Sequence, residues 1–188
     1  MRRTAAVMAV LATAASMSFA GPASAKVLEK GTFHYEDTHR DRNFCDVSGF
    51  TIRHQVTVDG RFLVKTRGPD QLAFFQEHVK VSSVMTNVAT DGFVTIADTV
   101  LSKDHRVTDN GDGTLTILVL ATGNSVVYDA TGKAIARDPG QVRFEILIDH
   151  GGTPADPSDD EFLDFLGVVK GSTGRSDDFC AAIVEAIG

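Results

Sequence analysis

Apolar and polar residues take turns along most of this chain, and that period of two limits its fold more than any other feature. In "FTIRHQVTVDGRFLVKTRG", Phe50, Ile52, His54, Val56 and Val58 fall on one side, and Thr51, Arg53, Gln55 and Thr57 on the other. Successive side chains of a strand point to opposite faces, so the run describes a β-strand with one buried face. Asp59-Gly60 then reads as a two-residue hairpin turn, with Phe62 and Val64 resuming the pattern on a returning strand.

The same pattern recurs downstream. "LAFFQEHVKVSSVMTN" places Phe75, Glu77, Val79, Val81 and Met85 on one face, and "FVTIADTVLSK" aligns Val94, Ile96, Asp98 and Val100. "GQVRFEILIDH" sets Val142, Phe144, Ile146 and Ile148 against Gln141, Arg143, Glu145 and Asp149. "GTFHYEDT" supplies an earlier strand, with Phe33 and Tyr35 on one side. "TLTILVLATGNSVVYD" is more uniformly apolar and β-branched, which suits a central strand with a turn or bulge at Gly123-Asn124. "DATGKAI" marks a hairpin around Gly132.

Together these describe an all-β antiparallel meander of about eight strands joined by short turns. Such a meander hides its edges best by closing into an up-and-down β-barrel, with a β-sandwich as the alternative. The tail breaks the pattern. "HGGTPADPSDDEFL" reads as a loop and "SDDFCAAIVEAIG" as a short C-terminal helix, its start suited by Ser176, Asp177 and Asp178.

The opening residues answer to a different demand. Arg2 and Arg3 precede an Ala-rich apolar run, and Ala23-Ser24-Ala25 supplies a small-x-small cleavage site, so residues 1–25 read as a secretory signal peptide. The mature secreted chain, residues 26–188, is then 163 residues long and fits one domain. Loss of Arg2 and Arg3 takes the formal charge from −7 to −9. That surface repels nucleic acid and anionic lipid, and no other segment is long and apolar enough to insert stably in a membrane. Cys45 and Cys180 are the two cysteines of the chain, and outside the cell an even pair reads as a disulfide.

Two acidic stretches raise the question of calcium. In "TDNGDGTLTILVL", Gly111 occupies a position that an EF-hand loop gives to a ligand, and no Glu follows. Asn110-Gly111 and Asp112-Gly113 are instead favoured turn dipeptides, so the stretch reads as a hairpin corner. Asp149, Asp156, Asp159, Asp160 and Glu161 follow no ligand spacing and read as a solvated loop. The remaining histidines form no zinc-binding set, and nothing in the sequence calls for a metal or another cofactor.

The residues that invite a functional reading are titratable ones on apolar faces: His54, Glu77 and Asp98. An unpaired buried carboxylate is costly, so such groups pair, take up a proton or face a cavity. The expectation is that the three form the polar end of a pocket for a small apolar or amphipathic ligand. One alternative is a cofactor-free lyase, isomerase or hydrolase using His54 with a carboxylate as an acid–base pair. Another is a structural envelope or interaction protein with a solid interior.

"DNGDGTLTILVLATGN" and "DHGGTPADPSDDEFLDFLGVVKGSTGR" resemble a group of uncharacterised secreted β-rich proteins of high-GC Gram-positive bacteria. The resemblance implies export and a β fold, and carries over no catalytic residues. The expected barrel is similar to lipocalins and allene oxide cyclases in architecture alone.

Overall fold

The computed structural model describes residues 25–188. The expected signal peptide therefore lies almost wholly outside the described residues. Seven antiparallel strands form one sheet in sequence order. They are β1 (Val27–Asp41), β2 (Ile52–Arg67), β3 (Leu72–Asn87), β4 (Phe93–Asp109), β5 (Thr114–Tyr128), β6 (Ala134–Asp149) and β7 (Glu161–Lys170), followed by helix α1 (Phe179–Ile187). The all-β meander and the short C-terminal helix are as expected. Among the described residues one sheet holds every strand, and β1 and β7 hydrogen-bond only to β2 and β6, so hydrogen bonds do not close it into a barrel.

Asp59-Gly60 is not a turn. β2 runs straight through it, and the reversal comes at Gly68–Gln71. The glycine serves a cross-strand contact instead: Gly60 lies opposite Phe33 and Gly31 opposite Phe62. A methyl group at Gly60 would overlap the Phe33 ring, and one at Gly31 would overlap the Phe62 ring. Each aromatic ring thus covers the bare backbone of its partner strand. Gly123-Asn124 likewise lies inside β5, with neither turn nor bulge.

The hairpin at residues 109–114 is a corner, as its sequence requires. Gly111 and Gly113 take positive φ, the Asp109 carboxylate accepts the Gly111 N–H, and Asp112 accepts both the N–H and the hydroxyl of Thr114. In the second acidic stretch Asp149 accepts from Gly151 N–H, Asp156 from Ser158 N–H and Asp159 from the Thr153 hydroxyl.

Two apolar clusters stabilise the sheet. The first joins Phe50, Ile52, Met85, Val94, Val127 and Ala136 to Ile183 and Ile187 of α1. The second gathers Val107, Leu115, Ile117, Val119 and Ile148 at the other end, with Leu72 and Phe74 against it. Burying Ile183 and Ile187 contributes about 1.5–3 kcal/mol each. The helix is tied down three ways. Asp178 caps its start by accepting the Ala181 N–H, buried Asn87 donates to the Ile187 carbonyl at 2.6 Å, and Cys180 is bonded to Cys45. Reduction, or a Cys45→Ser/Cys180→Ser pair, is expected to lower unfolding stability by about 2–4 kcal/mol in urea titration. An unchanged midpoint would mean that the cross-link constrains nothing.

A bulge at His105 ends the β3–β4 ladder and re-aims β4. Buried Asp104 occupies the break, accepting the Phe75 N–H at 2.7 Å. Burial raises its pKa from 3.8 to about 6, outweighing that hydrogen bond and the nearby Arg67. The native state thus holds a proton that the unfolded chain releases near 3.8, so Asp104 favours folding at low pH. That contribution is lost as pH rises from about 4 through about 6. Asp104→Asn is expected to match the wild type in stability at pH 4 and to exceed it at pH 8 by on the order of 2 kcal/mol. Equal stabilities at both pH values would contradict this reading of the burial.

The sequence assigns the start of β7, Glu161 to Leu163, to the preceding loop and the rest of it to no element. The register of β7 with β6 explains why. Residues 162, 165 and 168 pair with 148, 146 and 144, so β7 advances three residues for every two of β6. Each step leaves one bulged residue over, namely Leu163, Leu166 and Val169.

Candidate functional site

The register places His54, Glu77 and Asp98 on one face of the sheet, the face that carries the first apolar cluster. It does not gather all three. Glu77 lies opposite Phe62, eight residues along β2 from His54, or about 26 Å of strand. His54 and Glu77 therefore form no acid–base pair.

His54 and Asp98 belong instead to a polar belt across the sheet. On five consecutive strands the residue two positions beyond the first cluster is polar: His54 after Ile52, Ser83 before Met85, Asp98 after Ile96, Ser125 before Val127 and Asp138 after Ala136. Asp98 lies opposite Ser125, and Ser125 opposite Asp138. His54 and Ser83, then Ser83 and Asp98, are diagonal neighbours about 7–8 Å apart. On the far side of the belt the face becomes apolar and small again at Val56, Val81, Val100, Gly123 and Gly140.

Three atoms of this belt are buried with no hydrogen-bond partner among the described residues: His54 Nε2, Ser83 Oγ and Asp98 Oδ1. Ser83 as a residue is only 8 % exposed. An unsatisfied buried polar group costs about 1–3 kcal/mol, so three on adjoining strands form a concentrated capacity to bind a polar group. An open groove of about 220 Å³ follows the other end of the belt, between Val100, Gly123, Ser125, Asp138, Gly140 and Ser172.

His54 is the best-positioned member. The His39 ring from β1 stacks on it at 4.6 Å, and Phe44, next to the disulfide, meets it edge-on at 5.8 Å. Burial, then the charge of His39, lowers its pKa below 6.5 against the pull of Asp41. The ring is thus neutral at pH 7, and Nε2 can accept or donate according to tautomer. Ser83, Ser125 and Asp138 were not singled out in the sequence. Each is an ordinary polar residue there, and only the register aligns them.

Comparison with known proteins adds nothing to this geometry: no protein-family model, curated protein or solved structure matches the chain.

His39→Ala is expected to move the His54 titration upward, toward 6.5, because it removes both a neighbouring positive charge and part of the cover over the ring. Ring-proton chemical shifts followed by NMR from about pH 4 to 8, a range that brackets the ordinary value, report this directly. A downward move would refute the assigned contacts.

Proposed function

We propose that this is an exported binding protein that holds one small, largely apolar molecule bearing a hydroxyl or amino group, seated on the belt. The observation that carries the reading is the set of unpaired buried atoms on His54, Ser83 and Asp98, flanked by apolar side chains along the same face. A hydroxyl or amine can donate to Asp98 and exchange hydrogen bonds with Ser83 and neutral His54, while the Val side chains take the apolar body. In this reading the sheet supplies a curled trough, an open counterpart of the expected barrel. The N-terminal signal-like stretch and the Cys45–Cys180 disulfide support export. Among the described residues no helix is long and apolar enough to cross a membrane.

Native mass spectrometry of protein purified from its own host tests the proposal. The expected result is a retained added mass that Asp98→Asn and Ser83→Ala lose. Ser83→Ala should at the same time gain about 1 kcal/mol of stability, because it removes a buried unpaired hydroxyl. A wild-type protein that carries no added mass would sink the idea, as would retention unaffected by both substitutions.

A further inference from the structure

The outer strand of the sheet carries an unusual surface. Phe162, Leu163, Phe165, Leu166, Val168 and Val169 are between 46 % and 59 % exposed. The outer side of β7 has no partner strand among the described residues. The three-for-two register sends Phe162, Phe165 and Val168 to the face shared with the belt and leaves Leu163, Leu166 and Val169 as bulged extras. Soluble proteins usually blunt such an edge with charge, as β1 does with Glu29, Lys30, Glu36, Asp37, Arg40 and Asp41. β7 carries charge only at Glu161, Asp164 and Lys170.

We propose that β7 is the seam of a two-fold dimer, in which β7 of one copy lies antiparallel to β7 of a second. The stretch "EFLDFLGVVK" is self-complementary in that direction. Read forward or backward, it gives the same order: charged, apolar, apolar, polar or glycine, apolar, and the mirror of these. In the antiparallel register centred between Phe165 and Leu166, Glu161 of one copy meets Lys170 of the other. Phe162 meets Val169, Leu163 meets Val168, and Phe165 meets Leu166. Asp164 faces Gly167, which has no side chain to crowd it. A two-fold axis makes every one of these contacts twice. Parallel pairing would instead set Glu161 against Glu161 and Lys170 against Lys170.

The area is of the right order. The six apolar side chains present on the order of 550 Å² on one copy, so two copies offer at most about 1,100 Å², comparable with the ~1,000 Å² that a specific interface requires. The bulges keep the seam from being a long regular ladder, so side chains carry most of the contact. The charged β1 edges then face outward on both copies.

Sedimentation equilibrium and light scattering at tens of micromolar protein test the seam. The wild type is expected at twice the monomer mass. Leu166→Asp places two carboxylates beside the axis and is expected to give monomer, with its far-UV circular dichroism unchanged because the side chain is exposed. Lys170→Glu brings Glu161 against a second acid at both ends and is expected to weaken the dimer by about tenfold. The double variant Glu161→Lys/Lys170→Glu restores opposite charges and is expected to recover wild-type association. Three results would each overturn the proposal: a wild type that is monomeric at these concentrations, a dimer indifferent to Leu166→Asp, or a double swap no better than Lys170→Glu alone.

Discussion

A sheet with one apolar face must have that face covered, and here a single nine-residue helix covers one end of it. Everything near the belt depends on α1 staying in place. A helix this short is marginal on its own, so it is held by tertiary contacts: Ile183 and Ile187 in the cluster, Asn87 on its last carbonyl, and the cross-link to Cys45. The cross-link reaches further than the helix. Its partner turn carries Phe44, whose ring edge meets His54, so one covalent bond fixes both the lid of the apolar cluster and one wall around the belt histidine.

The belt costs stability in a sheet that could have been apolar throughout. Serine at position 83 leaves a buried hydroxyl unpaired where Val or Ala would pack, and Asp98 repeats the penalty one strand away. Folds tend to tolerate such departures from good packing where function requires them. Asp104 shows the contrast: it too is buried, yet it accepts a backbone N–H at a place where the ladder must end. That carboxyl has a structural task, whereas the three belt atoms have no partner among the described residues.

Much of this was legible in the sequence. The alternation around His54, Glu77 and Asp98 put all three on one face, because a period of two is a geometric property of strands that the register preserves. Distance along the strand was another matter. Which residue of β2 sits opposite Glu77 depends on where the hairpin turns, and Asp59-Gly60 suggested a turn where Phe33 needed a bare backbone. Moving that turn to Gly68–Gln71 lengthens β2 and carries Glu77 away from His54. Ser83 escaped notice for a related reason, since its meaning lies in its neighbours on β2 and β4. β7 was hidden because a strand with a bulge at every third residue has the rhythm of a loop.

The paired exchange of Phe33 over Gly60 and Phe62 over Gly31 gives the first strand an address. Among the described residues β1 has a neighbouring strand on one side only, and it is largely solvent-exposed, so little else tells it where along β2 to stop. Sliding it by two residues would keep every side chain on its proper face, yet it would drive both rings into side chains where hollows had been. Two knobs and two sockets, offset by two positions and facing opposite ways, thus act as a key that fits at one setting.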